Sequence, residues 1–396
     1  MENDLIFISL ENWDEIWRRN QFICAELVRR HPSIKLLFVG VQRNLWRYLA
    51  KGDGFSLLRD SSARVPQMSQ IVVTRPLRIG LERYRHGRLL NQKITRRHIK
   101  RIQVSLGLRR PVLWVNPHSA VNLVGHFDEA AVIYDITDDW TTASQSAEAA
   151  EMVKRQDSEL CGRADAVIVC SNRLFDMKRA MTSSLHLIAN GVDAEHYREV
   201  LEGGGPLPEA AARWKKPVYG YTGSVHSDRV DVELVRKFAQ RTNGTVVLLG
   251  PNMLVPEDRA RLDLPNVVLF GPLPYQELPK YMRGFDVCIV PHRVTAFTES
   301  LNPIKLWEYL AAGKPIVSTD VAGFRDYPQF VHLARNIDEF VLATDVAAKE
   351  DPSLAAARQA EARKHSWTRR VDEIERVIDG AIQRRERYGS SERPGA

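Results

Sequence analysis

The chain has few cysteines and no long apolar run, which argues against several protein classes. Its 396 residues hold four cysteines, at 24, 161, 170 and 288, and no two of them show CxxC spacing. Most of these thiols lie in apolar or helix-like stretches, so neither a disulfide framework nor a zinc site is indicated. No apolar run approaches the roughly 18 residues that a transmembrane helix needs. Acids rather than basic residues precede the short apolar stretch at Leu5, unlike in a secretory signal, so we expect a cytoplasmic protein.

Glycine motifs for phosphate binding are missing as well. The first apolar run, Leu5 to Leu10, leads into Glu11, Asn12 and Trp13 without any glycine, and no GxxxxGK[ST] segment occurs in the chain. Dinucleotide-binding fingerprints and P-loops need those glycines so that the backbone can approach phosphate. NAD-dependent dehydrogenases and P-loop ATPases are therefore disfavoured.

Short apolar runs alternate with helix-like segments along most of the chain. Runs of roughly 4–6 apolar residues between polar or turn residues are typical of strands buried on both faces of a parallel sheet. They begin at Leu5, Lys35, Gln70, Pro111, Ala130, Asp165, Leu185, Val218, Thr245, Asn266, Asp286 and Lys314. Near Leu201 the chain changes to LEGGGPLPEAAARWKKP, whose glycines and prolines are typical of a linker. The sequence predicts an α/β protein of two Rossmann-like, doubly wound domains, followed by a disordered tail at 388–396.

The net charge of +7 is unevenly distributed. Between Arg75 and Arg110 twelve basic residues accompany one acid, a local balance of +11 that leaves the rest of the chain at −4. This basic segment predicts a surface for anionic partners: phospholipid headgroups, a phosphorylated substrate or nucleic acid. Apolar residues at roughly helical spacing are interleaved with the charges: Leu81, Tyr84, Leu89, Leu90, Ile94, Ile99 and Ile102. A helix here could set an apolar edge into an anionic membrane, or its charges could face water while the apolar positions face the core.

The stretch TESLNPIKLWEYLAAGKPIVST, residues 298–319, has the strongest local signals. Asn302 is a suitable N-cap, the following proline suits a first helical turn and Gly313 suits the end, so we predict a helix here. Free N–H groups at a helix start favour an anion, and a bound phosphate would offset the unfavourable position of Lys305 in the first turn. Glu308 lies on the same face, where a carboxylate can accept hydrogen bonds from a ribose diol. The alternative is an i,i+3 surface ion pair of little consequence.

This stretch resembles the C-terminal signature of GT-B glycosyltransferases, in particular the bacterial polysaccharide-assembly enzymes around glycosyltransferase family 4. Other segments resemble the same family in the same order: RADAVIVCSNRLFDMKR and HLIANGVDAEHY, then YGYTGSVHSDRVDVEL and NVVLFGPLPYQELPKYMRGFDVCIVPHR, and finally SWTRRVDEIERVIDGAIQ. The resemblance implies two Rossmann-like domains that face each other across a cleft. Residues 1–200 would form the acceptor side, 201–216 the linker and 217–366 the nucleotide-sugar domain. A last helix at about 367–387 would pack back on the first domain.

Position by position, the resemblance implies a donor site. Glu308 would bind the ribose, and Lys305 and Arg229 would bind the diphosphate. The other implied donor residues are the turn at Gly223 and Ser224, the backbone near Leu273 that would contact the base, and Asn302 at the helix start. The family has a second glutamate eight residues before the helix glutamate, whereas this chain has Ser300 there and Glu299 one place earlier. An arginine usually follows the turn glycine, where Ser224 stands here.

Two polar groups at strand ends are candidates on the acceptor side. His118, in WVNPHSA, matches a loop where family-4 enzymes often have a histidine near the transferred sugar. YDITDDW resembles the segment with the proposed base of inverting, xanthan-type glucuronosyltransferases, which puts Asp138 in that role. Inversion needs a general base, whereas in a retaining enzyme the donor phosphate is thought to serve, so the stereochemistry stays open. Alternatively, His118 is a satisfied loop residue and Asp138 is a helix cap or makes a loop hydrogen bond.

The features together predict a glycosyltransferase that moves a sugar from a UDP- or GDP-sugar to a glycan or lipid-linked glycan in cell-surface polysaccharide biosynthesis. We expect peripheral contact with the inner face of the cytoplasmic membrane through the basic segment. No DxD sequence is placed to suggest a metal, so no metal or other cofactor is expected. A GT-B epimerase or phosphorylase would reuse the cleft, although a phosphorylase is normally much longer. A nucleic-acid-binding protein would leave Glu308 without a purpose, so no nucleic acid partner is expected.

Overall fold

The computed structural model describes residues 2–50, 52, 62–141 and 146–389, and within them the chain packs into two units. Unit 1 is built from Met1–Asp14, Arg18–Ile188 and Val371–Ala396, as far as these ranges are described. Unit 2 is built from Glu15–Trp17 and Ala189–Arg370. The tail predicted to be disordered, 388–396, is helical up to Gly389, and residues 390–396 lie outside the described part.

Unit 1 is built on a mainly parallel sheet. Its strands are β1 (Leu5–Ile8), β2 (Leu36–Val39), β3 (Arg43–Asn44), β4 (Ser62–Val65), β5 (Met68–Thr74), β6 (Leu77–Arg78), β7 (Val112–Val115), β8 (Ala131–Ile136), β9 (Ala166–Val169) and β10 (Leu185–Leu187). The sheet order is β10, β9, β8, β7, β1, β2, β5, β4, and β3 pairs separately with β6. Within this sheet only β4 runs antiparallel to its neighbour. The central strands are buried because their side chains are apolar on both faces.

The chain reverses the direction of sheet growth at β1, which lies between β2 and β7. It first builds strands on one side of β1 and later, from β7 onward, on the other. The loops that leave β1 and β7 therefore diverge, and open α/β sheets bind ligands at the carboxyl ends of such strands. The acceptor-side candidates His118 and Asp138 follow β7 and β8, close to this switch point.

Helices and short helical turns cover the sheet of unit 1. The helices are α1 (Arg19–Arg30), α2 (Leu45–Ala50), α3 (Arg85–Leu106), α4 (Ala147–Arg163) and α5 (Asn172–Lys178), with a 3-10 turn at His118–Leu123. On one face, the Phe7 ring stacks on Phe38 and on Trp114, with centroids 5.6 and 5.4 Å apart. Such aromatic stacking stabilises the folded state beyond the burial of apolar area, and here it joins β1, β2 and β7.

Unit 2 repeats the design with a fully parallel sheet. Its strands are β11 (Val218–Thr222), β12 (Thr245–Leu249), β13 (Val267–Gly271), β14 (Val287–Val290), β15 (Ile316–Thr319) and β16 (Val331–Ala334). Their order is β13, β12, β11, β14, β15, β16, so sheet growth reverses between β11 and β14. The second switch point therefore lies where β11 and β14 end.

The helices of unit 2 are α6 (Ala194–Glu202), α7 (Glu209–Ala212), α8 (Val232–Arg241), α9 (Pro256–Arg261), α10 (Leu278–Met282), α11 (Ile304–Ala311), α12 (Ile337–Ala347), α13 (Leu354–Arg363) and the first residues of α14 (Trp367–Gly389). Capping side chains explain where several of these helices begin. Asp231 caps α8 by accepting the Leu234 N–H at 2.9 Å, and Asn336 caps α12 by accepting the Glu339 N–H at 2.9 Å. Such caps satisfy the N–H groups that a helix start leaves without an intrahelical partner.

The α/β class, the parallel sheets and the two-part design agree with the sequence-based prediction, but the division of the chain differs. Residues 189–216, predicted to end the first domain and form the linker, belong to unit 2. Arg283 explains part of this, because its guanidinium donates to the carbonyls of Gly204 and Gly205 at 3.2 and 2.7 Å. In α14, the residues from Val371 onward belong to unit 1.

Candidate donor and acceptor sites

A tight turn follows β11 at the switch point of unit 2. Gly223 has φ of +146°, a conformation that L side chains rarely adopt, and its N–H donates to the Leu249 carbonyl at 2.9 Å. Gly250, at the end of β12, packs so close that a Cβ there would lie 2.1 Å from the Gly223 carbonyl oxygen. Both glycines are therefore required by the close approach of two loops. The turn lies at the sheet edge where a ligand is expected.

Helix α11 begins after Pro303 and ends before Gly313, whose φ of +66° suits a helix end. The predicted N-cap role of Asn302 is wrong. The N-cap position is Pro303, without a side-chain cap. The Asn302 amide oxygen instead accepts the Asn190 N–H at 2.9 Å, and the Asn190 amide donates to the Asn302 carbonyl at 2.5 Å. Asn302 thus anchors the NGVD segment to the start of α11 rather than capping the helix.

Lys305 and Glu308 lie together beside the turn. The lysine Nζ lies 2.6 Å from Glu308 Oε2, and Lys305 Cε would be 3.5 Å from a Cβ at Gly223. Glu308 is 2% exposed, whereas Lys305 is half-buried. Tyr309 fixes the helix against β11, because its hydroxyl accepts the Thr222 N–H at 2.8 Å. The structure therefore brings Gly223, Lys305 and Glu308 to one place.

A buried histidine that the sequence analysis did not single out lies behind the turn. His292 follows β14, and its Nε2 lies 3.3 Å from the Tyr221 hydroxyl, which also donates to the Ser224 carbonyl at 3.3 Å. Burial, helped by the charge of Arg229, lowers the pKa of His292 to about 3, so the ring is neutral. The segment DVCIVPH could have indicated it, because this histidine directly follows an apolar strand. The Arg229 guanidinium also lies 5.9 Å from the Phe297 ring centroid, a cation–π contact.

The predicted base-contacting segment lies between β13 and a short 3-10 turn. Leu273 is half-buried there, two residues before Tyr275. The Tyr275 ring stacks on His196 with centroids 3.9 Å apart, and His196 Nε2 lies 2.9 Å from the Tyr275 carbonyl. Burial raises the pKa of Tyr275 and of Tyr197, and the negative charge of Glu308 adds to both shifts. This aromatic group therefore lies within electrostatic range of Glu308.

The two residues at the departure from the family pattern have separate partners. Ser300 is fully buried, and its hydroxyl donates to the Phe297 carbonyl at 2.7 Å. Glu299 forms a two-pronged ion pair with Arg325, with N to O distances of 2.7 and 3.0 Å. Arg325 also donates to Asp320 at 2.9 Å. Glu299 is thus held by an arginine.

The acceptor-side candidates follow two strands of unit 1. His118 begins the turn after β7, and burial lowers its pKa, with Asp157 acting in the opposite direction and Lys178 in the same direction. Asp138 follows β8, is half-buried and accepts the Thr137 hydroxyl at 2.9 Å. Its neighbour Asp139 is more deeply buried and accepts the backbone N–H two residues on at 3.1 Å.

Sequence reasoning missed two buried ion pairs near these residues. Arg19 pairs with Asp135, and Lys178 pairs with Asp157, which also accepts the Tyr134 hydroxyl at 2.8 Å. Burial raises the pKa of Tyr134 well above its ordinary value, and the Asp157 charge adds to this. Each charged residue is far from its partner in the chain, so no local pattern reveals the pairing.

The basic segment spans β6 and α3, and its apolar residues divide between two environments. Ile99 is fully buried and Ile102 packs against the same core, so the predicted membrane role is wrong for these two positions. They lie on the side of α3 that faces the sheet. Exposed large apolar residues instead gather at α2, the start of α3 and the loop before it: Trp46, Leu49, Leu81, Tyr84, Leu89 and Leu90. We refer to these six as the apolar patch.

Hydrogen bonds connect the elements that carry the apolar patch. Trp46 Nε1 donates to the Ile79 carbonyl at 2.7 Å, and the Asn91 amide oxygen accepts the N–H groups of Ile79 and Gly80 at 3.1 and 2.7 Å. Within the described part of the chain, no helix is both long and apolar enough to cross a membrane. Among the same residues, no group of three or more His, Cys, Asp or Glu side chains is placed to hold a metal ion.

Comparison with known proteins agrees with this architecture. Residues 216–350 match the family model of glycosyl transferases group 1. A stretch of 211 residues is 27% identical to TuaH of Bacillus subtilis (strain 168), which is described as a teichuronic acid biosynthesis glycosyltransferase. That match covers 48% of this chain and 50% of TuaH, so it spans about half of the curated relative.

Solved structures match over nearly the whole chain. Sucrose-phosphate synthase from Thermosynechococcus elongatus has a TM-score of 0.69 at 15% identity, covering 98% of this chain and all of the other. HepE from Anabaena in complex with UDP-glucose has a TM-score of 0.65 at 15% identity, covering 95% of this chain and 99% of the other. The chain therefore has the GT-B fold, and its residues 216–350 match the glycosyl transferases group 1 model.

Proposed function

We propose that the protein transfers a sugar from a nucleoside diphosphate sugar, a UDP- or GDP-sugar, to a hydroxyl of a glycan or lipid-linked glycan acceptor. The biological setting would be cell-surface polysaccharide biosynthesis. One observation carries the proposal: the turn at Gly223 lies beside Lys305 and Glu308 at the switch point of unit 2. Ligands of open α/β sheets bind at this position.

The donor half of the proposal follows from the chemistry of these groups. Glu308 is an acceptor that suits the two hydroxyls of a ribose, and Lys305 is a cation one helical turn away that suits a phosphate. Lys305, Arg229 and the N–H groups at the start of α11 would together meet the charge of the diphosphate leaving group. Metal-independent transfer is part of the proposal, because these groups offer the positive charge that a metal supplies elsewhere.

The known relatives support the same chemistry by analogy. HepE was crystallised with UDP-glucose, and a trehalose-6-phosphate protein from E. coli with the same fold was bound to UDP-2-fluoro glucose. TuaH is described by its role in teichuronic acid biosynthesis, a polysaccharide pathway. The fold alone hosts several reactions, so the argument for this chain rests on its own residues.

On the acceptor side we propose that Asp138 is the general base if the reaction inverts the anomeric centre. It is half-buried at the carboxyl end of β8, and a carboxylate in such a place can remove a proton from an acceptor hydroxyl. His118, at the end of the neighbouring strand β7, is the second candidate and would contact the acceptor or the transferred sugar. In a retaining reaction no side-chain base is needed, and His118 becomes the more important of the two.

We further propose that the protein works at the inner face of the cytoplasmic membrane, held there by the apolar patch and the charges around it. Arg83, Arg85 and Arg88 are exposed beside the leucines of the patch. Aromatic and leucine side chains flanked by arginine are the composition that binds an anionic bilayer surface. Each basic residue near such a surface contributes about 1 kcal/mol, so a few are enough to bind the protein reversibly.

The experiment that tests the function is transfer of radiolabelled sugar from a panel of UDP- and GDP-sugars to membrane lipid extracts and glycans, with and without EDTA. The proposal expects one donor to yield a labelled acceptor, and EDTA to have no effect. A new sugar nucleotide formed without acceptor would indicate an epimerase instead. Failure of every donor to bind or react would overturn the proposal.

A further inference from the structure

A buried ion pair lies under the carboxyl ends of the central strands of unit 1. Arg19, the first residue of α1, donates its Nε and Nη2 to the two carboxylate oxygens of Asp135 in β8, each at 3.1 Å. Arg19 is 4% exposed and Asp135 is fully buried. Because two buried charges are costly unless their geometry is good, this two-pronged pair fixes α1 firmly against β8.

Asn116 joins this pair from the neighbouring strand. It follows β7 directly, is 4% exposed, and its amide nitrogen donates to the Asp135 carbonyl at 3.1 Å. The same nitrogen lies 3.5 Å from the Asp135 carboxylate, while the Asn116 backbone N–H donates to the Ile8 carbonyl at 3.0 Å. Asn116 therefore connects β7 with both of its neighbours, β1 and β8, where all three strands end.

These links occur just before the acceptor-side candidates. His118 comes two residues after Asn116, and Asp138 comes three residues after Asp135. Among the described residues, none makes a hydrogen bond with the His118 ring, so its position depends on the backbone that carries it and on packing. The Asn116 amide joins that backbone to the end of β8, from which the loop with Asp138 leaves.

We infer that Asn116, held by the Arg19–Asp135 pair, is a positioning residue that fixes the His118 loop relative to the Asp138 loop within unit 1. The inference deepens the proposed function and rests on it for the roles of His118 and Asp138. Asn116 contacts neither the donor sugar nor the acceptor glycan, and it acts only through the two loops. Shifts of about 1 Å in such loops can reduce a reaction rate by roughly 100-fold.

Gln103 provides a matched control in the same unit. Like Asn116 it is a buried amide, 4% exposed, and its amide nitrogen donates to a backbone carbonyl, that of Phe127, at 2.9 Å. It lies on α3, and its amide nitrogen donates to the carbonyls of Leu108 and Phe127, neither of which lies in the turn His118–Leu123 or in the loop after β8. Asn116→Ala and Gln103→Ala each remove a buried amide nitrogen that has two hydrogen-bond partners. Asn116→Asp keeps the shape but turns an acceptor toward the Asp135 carbonyl.

The test combines transfer kinetics with NMR titration of His118. The charged groups that face His118 are Asp157 and Lys178, which all variants keep. We expect Asn116→Ala and Asn116→Asp to lower kcat by roughly 10- to 100-fold at unchanged KM for the donor. Asn116→Ala should also move the pKa of His118 toward its ordinary value of about 6.5, because a loosened loop exposes the ring. Asn116→Asp is compared by kcat alone, because its new carboxylate would raise the pKa of His118 by charge. Gln103→Ala should change neither quantity.

The inference is overturned if Asn116→Ala matches the wild-type protein in either readout, or if Gln103→Ala produces the same changes. Thermal unfolding of all variants shows whether a change reflects general loss of structure. If the wild-type protein transfers no sugar but the His118 titration moves in Asn116→Ala and not in Gln103→Ala, the positioning role stands and the proposed function fails.

Discussion

The Lys305 ammonium lies 2.6 Å from the Glu308 carboxylate, and only the lysine reaches solvent to any extent. A surface i,i+3 ion pair would leave both groups in water and contribute little. Here the carboxylate is buried beside the Gly223 turn, so its desolvation has to be balanced by the lysine and by whatever binds at this edge. The pair therefore fits a site prepared for a ligand that carries both hydroxyls and negative charge.

The first prediction separates the ribose from the rest of the donor. If Glu308 accepts both ribose hydroxyls, the wild-type protein should bind 2′-deoxy-UDP or 2′-deoxy-GDP about 10-fold or more weaker than the matching ribonucleotide, since a hydrogen bond to a charged group is worth about 1.5–3 kcal/mol. Glu308→Ala should lose most of this preference. Calorimetric titration measures both. If Glu308→Ala keeps the wild-type preference for the ribonucleotide, another residue binds the ribose hydroxyls.

The second prediction concerns Asp138. If the reaction inverts, Asp138→Asn should lower transfer by about 10²–10⁴-fold, because the acceptor hydroxyl loses its general base. Nucleotide affinity should stay unchanged, since the donor residues belong to unit 2. Kinetics and NMR of the product anomer check this together. A retained anomer, or an active Asp138→Asn variant, would remove Asp138 from the base role and favour His118.

The third prediction concerns the membrane. The protein should co-sediment with anionic vesicles at low salt and be released as ionic strength rises, because the Debye length falls to about 3 Å at 1 M. Changing Trp46, Leu89 and Leu90 together to serine should weaken binding strongly. The matched control changes Leu342 and Val346, exposed apolar residues on α12, to serine. No sedimentation at low salt, or equal loss in the control, would contradict the membrane proposal.

The fourth prediction follows from His292, whose pKa in the folded protein is lowered to about 3 against about 6.5 unfolded. Between these values the unfolded chain binds the extra proton, so the free energy of unfolding falls as pH falls, by roughly 2 kcal/mol from pH 7 to pH 5. His292→Asn should lose this part of the pH dependence, and His86→Asn, at an exposed position, should keep it. Urea unfolding at both pH values measures the difference. Parallel pH dependence in all three proteins would contradict the buried neutral state.

Periodicity and turn residues predicted much of the fold. The apolar runs became the parallel strands, and Gly313 ends α11 as predicted. The assignment of 189–216 failed because glycines and prolines indicate an irregular segment but not what it packs against. Here Arg283 binds the carbonyls of Gly204 and Gly205, a contact between residues far apart in sequence.

The candidate site shows the same limit. Lys305 and Glu308 could be predicted because helical spacing places them on one face. The role of Asn302 could not be predicted, because an asparagine before a helix can either cap it or bind a distant backbone group. The folded chain shows the second role, since the Asn302 amide oxygen accepts the Asn190 N–H. The Arg19–Asp135 pair joins residues more than 100 positions apart, so only the folded chain reveals it.

The most direct test of the central claim is calorimetric titration of UDP and GDP, and of their sugars, into the wild-type protein and into a Lys305→Ala, Glu308→Ala double variant. A matched control replaces Glu361, on α13, and Lys364, the residue that follows α13, with alanine; their side chains form an i,i+3 pair 2.7 Å apart. We predict that the wild-type protein and the control bind one of the nucleotides equally well, and that the double variant binds it about 100-fold more weakly or not at all. Equal affinity in all three proteins, or no binding of any nucleotide to the wild-type protein, would contradict the donor site.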